Sequence, residues 1–318
     1  MNLLIGAVTI GLILAPLALG VFVSYRVYDT LDLTADGSFG LGAAVVAALL
    51  LREAPPAAAT LVATMAGVAA GVVTGLLHTR LLVSALLAGV LTSTALYSVN
   101  LFFMQGGNVS LASADTVMTA AHGLGRRFLG LPESLTLFGT EVSGSRVAEL
   151  SLMALLAGAL AAALGFFLRT DLGMAMRASG SNPQMARSVG IDVDRMVVAG
   201  LALANGLVAL AGALFAQYEG FANIQMGIGA VVMGIATLLV GETLLGRSTL
   251  GRWLAGAVAG AVVFRLIVAG AIRAGLSPNA LKLVTAGLVL AVLLLPRLGR
   301  RVRRLRRARM AEGLESGA

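Results

Sequence analysis

The sequence predicts an all-α fold, a polytopic helical bundle that crosses a membrane about eight or nine times. Of its 318 residues, 58% are hydrophobic and 12% are charged, whereas a soluble domain is roughly 45–50% apolar and about 25% charged. The mean hydropathy of +0.94 is too high for a surface exposed to water. These values exclude a soluble enzyme, a disordered chain and, because the chain has no cysteine, a disulfide-stabilised secreted module.

Nine apolar segments are candidates for membrane crossing, which requires about 20 helical residues per span. The second segment is short for a full crossing, so we expect it to be re-entrant or broken. The first has no positively charged start and no clear cleavage site, so we expect a retained helix. The candidate segments are 3–25, 37–51, 57–78, 81–103, 147–168, 196–218, 227–246, 252–272 and 279–296.

The formal net charge of +8 equals the charge of eight arginines within 297–309, at the start of a tail over 297–318, because the rest of the chain carries 15 basic and 15 acidic side chains. A basic run directly after a hydrophobic span usually sets topology and contacts anionic lipid. No aromatic residue interleaves with these arginines, so nucleic-acid binding is weakly supported. We therefore expect a transmembrane domain over 1–296, followed by a cytoplasmic tail.

Counting back from this tail orients the other loops. Loop 169–195 falls inside and the long loop 104–146 falls outside, although the outer loop also carries arginines. The N-terminus comes out extracytoplasmic if 37–51 crosses, and the first span reverses if that segment is re-entrant.

Short sequence similarities between the two halves of the chain suggest an inverted repeat. The first and sixth spans end in Phe22–Tyr25 and Phe215–Tyr218, and glycine-bearing stretches follow at Gly42–Val46 and Gly229–Val232. The expected orientation puts the first tyrosine inside and the second outside, as inverted repeats require. Apolar sequence of low complexity produces such similarities as well, and both interpretations stay open.

The inside loop 169–195 predicts two short helices lying across the cytoplasmic face. A first helix covers Met174–Ser179, and the break that follows contains Asn182, which can cap a second helix beginning at Pro183. Gly190 can end that helix. Such a pair suits docking into a groove of a partner. A plain connector is the alternative, but connectors of this length usually have a function.

The order of residues in this loop is informative. From Gly173 to Arg195 it reads G-M-A-M-R-A-S-G-S-N-P-x-x-A-R-x-x-G-I-D-V-D-R. This resembles the cytoplasmic coupling segment of ABC importer permeases of the branched-chain amino acid and ribose type. The stretch Tyr25–Phe39 is similar to permeases of the tryptophan/tyrosine-type uptake systems. Further similarities at Gly220–Ala222, Gly234–Glu242 and Pro278–Leu283 extend the resemblance over roughly residues 20–296.

The resemblance implies a permease subunit that translocates a small organic solute, such as an aromatic or other amino acid. It implies a second permease, either another copy in a homodimer or a related permease, together with two ATP-binding subunits and an extracytoplasmic substrate-binding protein, in a prokaryotic inner membrane. The rival function is an ion-coupled secondary transporter, which needs no element for ATPase docking. The residues expected to couple to the ATPase are Arg177, Ala178, Gly180, Asn182, Pro183, Ala186, Arg187 and Gly190.

The chain itself is not expected to be an enzyme. Its only lysine is Lys282, so it contains no phosphate-binding loop of the form G-x-x-x-x-G-K-[ST], and ATP with magnesium is expected in the partner subunit. His78 and His122 are far apart in sequence and lack the companions of a metal motif. No cofactor or metal site is expected in this chain.

Polar groups at membrane depth are costly, so each is a candidate for the translocation path. Arg265 could bind a substrate carboxylate, but it could also snorkel or pair with an acid such as Glu242. Glu242 lies near the cytoplasmic end of its span, a position that fits a gate or a contact between two helices. Segment 32–39 is either a capped turn, with Asp36 or Ser38 as the cap, or a broken helix. We expect it to flank the path together with 225–232. The candidate path residues are Asp36, Ser38, Phe39, Asn100, Asn205, Gln217, Gly229, Glu242 and Arg265.

Overall fold

The computed structural model describes residues 2–128, 134–137 and 140–275, together with positions 283, 286, 287 and 290. Outside the described residues lie Lys282, the arginine tail 297–318 and the predicted ninth span 279–296, apart from the four single positions just named.

Helices dominate the described chain, as the composition predicts. The α-helices are α1 (Asn2–Ile13), α2 (Ala15–Val21), α3 (Thr34–Leu50), α4 (Pro56–Thr79), α5 (Ala85–Met104), α6 (Val117–Phe128), α7 (Gly144–Phe167), α8 (Asp171–Ser181), α9 (Pro183–Ser188), α10 (Val193–Glu219), α11 (Ala230–Leu245) and α12 (Leu250–Arg273). A π-helical segment covers Phe22–Val27, and a 3-10 turn covers Ile224–Gly227. The strands are β1 (Asn108–Ser110), β2 (Ser134–Leu137), β3 (Thr140–Ser143) and β4 (Phe221–Asn223).

Seven helical segments of the described chain are long and apolar enough to cross a membrane. This confirms the prediction of a polytopic helical membrane protein. The helix at the predicted second span, α3, has 17 residues and is shorter than these. The seven segments are Leu3–Val27, Pro56–Thr79, Ala85–Met104, Gly144–Phe167, Val193–Glu219, Ile224–Leu245 and Leu250–Arg273.

The first span is interrupted near its middle. The α-helix is interrupted by a turn at Leu14, two residues before Pro16, which lies in the first turn of α2. Proline has no backbone N–H and its ring crowds the carbonyl of the preceding turn, so this interruption follows from the sequence. The span then ends in the π-helical segment.

Helices α8 and α9 both lie at one end of the bundle, which serves to distinguish its two ends. We call the end that carries them the inner end, following the arginine-based orientation, and the opposite end the outer end. The first span ends at the inner end, where the Tyr28 hydroxyl donates a hydrogen bond to the Met196 carbonyl near the start of α10. It begins at the outer end, where a Cβ on Gly6 would lie 3.5 Å from the hydroxyl of Tyr218.

Helices α3 and α11 both begin near the middle of the bundle and run in opposite directions. Near its start α3 is bonded to Asn205, in the middle of α10, and it ends at the outer end, where Leu50 packs with Ala59 and Ala216. Helix α11 begins beside Asp36 of α3 and runs to the inner end. The linker before α3 and α3 itself together complete one crossing. This antiparallel arrangement is the one that an inverted repeat requires.

Helix α10 lies at the centre of the bundle, in close contact with α4. A Cβ on Gly71 would lie 2.2 Å from the Leu201 carbonyl oxygen, and one on Gly67 would lie 2.5 Å from that of Asn205. Only glycine permits such contact between the two helices, as small residues do at other membrane-helix interfaces.

The outer loop 104–146 contains structure that apolar periodicity did not predict. Strand β1 pairs antiparallel with β4, so that Val109 lies opposite Ala222, and β2 pairs with β3 in a hairpin. Helix α6 is joined to α7 by a hydrogen bond between His122 and Glu149, whose Nε2 and Oε1 atoms are 2.6 Å apart. The β1–β4 pair ties the outer loop to the chain that leads into α11.

Candidate functional site

The helix pair at the inner end is built by local capping. The Asn182 side chain accepts a hydrogen bond of 3.0 Å from the Met185 N–H, and Pro183 is the first residue of α9. Gly190, with a φ of 87°, follows α9 in the left-handed conformation. The predicted helix break and second helix are present. The first helix is longer than predicted, because Thr170 caps it through the Gly173 N–H at 3.3 Å.

One side of this pair is seated on the membrane bundle. Gly180 faces the first span so closely that a Cβ there would lie 1.7 Å from the Val27 carbonyl oxygen. Met176 and Ala186 are completely buried. Gly180 and Ala186, two of the predicted coupling residues, therefore position the helix pair and do not face a partner.

The other side of the pair is exposed. Apolar side chains lie there among arginines, and the Arg187 guanidinium donates to Asp194 at 3.1 Å. A contiguous exposed apolar patch bordered by polar groups is typical of a protein interaction surface. Arg177, Asn182, Pro183, Arg187 and Gly190 are exposed and Ala178 is half-buried. The exposed apolar residues are Leu172, Met174, Met185 and Val189.

Tyr28 connects the first span to α10 beside this pair. Its phenol donates to the Met196 carbonyl, and its ring packs on Gly200, where a Cβ would lie 2.0 Å from a ring carbon. Burial raises the pKa of the Tyr28 phenol, so the group stays neutral and keeps its donor hydrogen. Displacement of α8 would therefore act on two long helices at once.

A buried polar network lies at the start of α3. The Ser38 hydroxyl donates to Asn205 Oδ1 at 2.7 Å, and Asn205 Nδ2 donates to Asp32 Oδ2 at 2.7 Å. The Thr34 N–H donates to Asp32 Oδ1 at 2.9 Å, and the Thr34 and Thr74 hydroxyls are 2.8 Å apart. The helix begins at Thr34, so the predicted caps at Asp36 or Ser38 are wrong. Asp32, which the sequence did not single out, satisfies the first backbone N–H.

Asp36 joins the two helices that begin in mid-bundle. Its carboxylate accepts hydrogen bonds from the backbone N–H groups of Gly229 at 3.1 Å and Val231 at 2.8 Å. These donors lie at the N-terminus of α11, where the helix dipole favours a negative charge. A Cβ on Gly227 would lie 2.0 Å from the Asp36 carbonyl oxygen. Segments 32–39 and 225–232 therefore contact each other within one chain.

Four other candidate path residues are buried in the packing of this chain. Phe39 stacks obliquely on Phe215, with ring centroids 5.9 Å apart, and Asn205 belongs to the network above. Gln217 accepts from the Val117 N–H at 2.9 Å and donates to the Thr60 hydroxyl at 2.9 Å. Asn100 donates to the Gly37 carbonyl at 3.2 Å. Each of them connects helices in this conformation, and a role on the path stays a prediction.

The buried carboxylate of Glu242 is paired at the inner end. It accepts from Arg26 Nε at 2.5 Å and Nη2 at 2.6 Å, and it lies 2.6 Å from Arg247 Nη2. The suggested pair between Glu242 and Arg265 is wrong, because Glu242 pairs with Arg26 and Arg247 at the inner end, whereas Arg265 lies towards the outer end of α12. Glu242 makes the predicted helix contact, but its partner Arg26 was missed.

Comparison with known proteins gives a family match over nearly the whole chain. The family described as "Branched-chain amino acid transport system / permease component" matches residues 3–294. Among the described residues, no group of three or more histidine, aspartate or glutamate side chains could hold a metal ion. No solved structure matches the chain.

Several known proteins are similar to the chain. A tyrosine transport system permease protein of Clostridioides difficile (strain R20291) is 35% identical over 293 residues, which cover 92% of this chain and 91% of that protein. An uncharacterised protein of Rickettsia prowazekii (strain Madrid E) is 33% identical over 244 residues, covering 76% and 78%. The autoinducer 2 import system permease protein LsrC of Yersinia pestis (strain Pestoides F) is 29% identical over 235 residues, covering 73% of this chain and 58% of that protein.

Proposed function

The chain belongs to the family of permease components of branched-chain amino acid transport systems, and from this membership we propose that it is the membrane subunit of an ATP-driven importer. Its cargo is a small organic solute, and an amino acid is favoured because a permease named for tyrosine transport is 35% identical. ATP is bound with magnesium and hydrolysed by a partner subunit.

The exposed face of α8 and α9 is the observation that carries this proposal. It presents apolar side chains and arginines away from the bundle, while Gly180 packs against the first span and Ala186 is buried. A partner that moves this face also moves the inner end of the first span, and through Tyr28 the start of α10. These contacts support a rigid element through which an ATPase acts on the bundle.

The complete importer contains a second copy of this chain, two ATP-binding subunits and an extracytoplasmic substrate-binding protein. The packing of Ser38, Phe39 and Asn205 inside one chain supports a path that runs between two copies. The assembly lies in a prokaryotic inner membrane, with the tail 297–318 in the cytoplasm near anionic lipid. A reporter fused after Ala318 should be active only in the cytoplasm, and activity on the outer side would reverse the orientation.

Site-specific crosslinking tests the proposed contact. The chain has no native cysteine, so Met185→Cys places a single thiol on the exposed face of α9. In membranes of the native host it should crosslink to an ATP-hydrolysing subunit. Ala112→Cys, exposed in the outer loop, should not. Equal crosslinking from both positions, or no crosslink to an ATPase from Met185→Cys, would contradict the proposal.

An ion-coupled secondary transporter is the second candidate function. Two helices that begin in mid-bundle and run in opposite directions also occur in such carriers. The energy source separates the two functions. Solute uptake that persists in ionophore-treated cells and stops on depletion of ATP supports the importer. The reverse result supports the carrier.

A further inference from the structure

Two neighbouring cavities meet at the outer end of α3 and α5. The first has a volume of about 1050 Å³ and lies between the end of α3, the end of α5 and β1. The second, of about 430 Å³, is a cleft between α3, α4 and α5. Arg52 and Phe103 line both of them. The guanidinium and the aromatic ring therefore lie at the junction of the first cavity, which we call the mouth, and the second, which we call the cleft.

The two cavities differ in chemistry. Gln105, Asn108 and Ser110 contribute amide and hydroxyl groups to the mouth. Among the described residues that line the cleft, every side chain except Arg52 is apolar. A ligand that spans the junction would therefore have a charged, hydrogen-bonding head and a small apolar side chain.

We propose that this junction binds an α-amino acid with an apolar or aromatic side chain. The carboxylate binds Arg52, and the side chain enters the cleft beside Phe103. The inference rests on the proposed import function and adds a binding site on this chain and the first side chains that the cargo meets there.

The charge of Arg52 is available for a ligand. Within the part of the chain that the structure describes, no ion pair involves this arginine. Its backbone is held by a hydrogen bond of 3.0 Å from its N–H to the Leu49 carbonyl. A guanidinium presents two parallel donors to a carboxylate, and the attraction is stronger beside an apolar wall than in open water.

The cleft provides the apolar half of the site. Its volume of about 430 Å³ admits the side chain of leucine, tyrosine or tryptophan, and burial of that side chain supplies roughly 25 cal/mol for each Å² removed from water. Phe103 is partly exposed and lies edge-on to Phe102, with ring centroids 5.9 Å apart. A cargo ring next to Phe103 gains aromatic contact as well. The amide oxygens of Gln105 and Asn108 can accept from the ammonium group.

An anionic lipid would place a phosphate on the same guanidinium. The observations favour the amino acid, because the amide oxygens of Gln105 and Asn108 beside the guanidinium suit an ammonium group, which phosphatidylglycerol lacks. The experiment below separates the two ligands.

Saturation-transfer NMR on the full chain in phosphatidylcholine nanodiscs detects the weak binding expected of a transporter. The probes are L-tyrosine, L-tryptophan and L-leucine, with tyramine as an analogue that lacks the carboxylate. At least one amino acid should bind and tyramine should not. Arg52→Gln should weaken binding by about tenfold or more, since it replaces the charged partner of the carboxylate with a neutral amide.

Matched variants separate the site from general damage. Ala69 is an exposed residue of the cleft lining, so Ala69→Phe should fill the cleft and abolish binding. Ala58→Phe, on the exposed surface of the same helix, and Arg80→Gln, at an exposed inner position, should bind like the native chain.

Three results would overturn the proposal. They are the absence of binding by all three amino acids, equal binding of tyramine, and unchanged binding by Arg52→Gln. Phosphatidylglycerol that copurifies with the native chain but not with Arg52→Gln, without amino-acid binding, would assign the junction to lipid. If Arg52→Gln leaves ATP-dependent uptake unaltered, the proposed binding site is refuted but the importer function is not. If the native chain shows no ATP-dependent uptake at all, the importer function itself is refuted.

Discussion

Arg26 and Glu242 form a two-point ion pair that joins the inner end of the first span to the inner end of α11. The two nitrogens of the guanidinium lie 2.5 and 2.6 Å from the two carboxylate oxygens, and the Glu242 side chain is only 2% exposed. The residues are 216 positions apart in the chain. Together with Asp36 at the other end of α11, this pair attaches that helix to the first part of the chain at both of its ends.

Glu242→Ala should destabilise the protein by about 3–5 kcal/mol, because it leaves the largely buried Arg26 without its counter-ion. Thermal unfolding in detergent can be followed by the single tryptophan, Trp253, which packs edge-on against Phe22. As a control, Arg187→Ala removes an exposed pair with Asp194 and should change stability by at most about 1 kcal/mol. Equal shifts in the two variants would contradict a structural role for the Glu242 pair.

Asp36→Asn should loosen the start of α11. The amide offers one acceptor oxygen where the carboxylate accepts from both Gly229 and Val231. Hydrogen exchange of the backbone over 225–235 should accelerate by about tenfold, which corresponds to the loss of one charged hydrogen bond. Asp115→Asn makes the same chemical change at an exposed position before α6 and should leave this exchange unaltered. Unchanged exchange in Asp36→Asn would show that the contact does not hold α11.

Asn205→Leu should destabilise the bundle by about 1–3 kcal/mol for each buried partner that it leaves unsatisfied. Those partners are the Ser38 hydroxyl and the Asp32 carboxylate. A double-mutant cycle with Ser38→Ala isolates the first bond, and Ser38→Ala should be less destabilising in the Asn205→Leu background than in the native chain. Strictly additive effects would mean that the two side chains are not energetically coupled.

Single cysteines test which parts of the two mid-bundle segments water can reach. Ser38 is completely buried, whereas Gly229 is half-buried and has open space around its Cβ position. In the resting protein, Gly229→Cys should react with a small water-soluble thiol reagent and Ser38→Cys should not. Nucleotide binding by the partner should change the rate at Gly229→Cys. Rapid labelling of Ser38→Cys in the resting protein would place that residue on an open path instead.

Gly180→Leu should uncouple ATP hydrolysis from transport while the protein still inserts. The new side chain collides with the Val27 carbonyl and displaces α8 from the first span. Arg187→Glu should uncouple by a different route, because it reverses a charge on the exposed face. Gly158→Leu, on α7 with no neighbour within 4 Å of its Cβ position, is the matched control. Native amounts of solute moved per ATP in Gly180→Leu would contradict this mechanism.

The predicted spans illustrate how much of this fold follows from local sequence. Length and hydropathy located seven long helices to within a few residues, and the short α3 was recognised as an exceptional second segment. The β1–β4 pair could not be predicted, because strands of three residues joined across more than a hundred positions carry no periodic signal. Asp32 was missed because an aspartate before a helix looks like an ordinary turn residue.

Local interactions determined what the sequence alone could establish. Hydropathy requires a membrane bundle, and the Asn182–Pro183 step ends one helix and begins another through contacts within four residues. Only the tertiary structure decided that Gly180 faces the first span, that Glu242 pairs with Arg26 and not with Arg265, and that Asp36 binds the start of α11. These contacts depend on how helices far apart in the chain are packed. A side chain's partner across about two hundred residues is set by that packing geometry, whereas a cap or a span is set by its own neighbours.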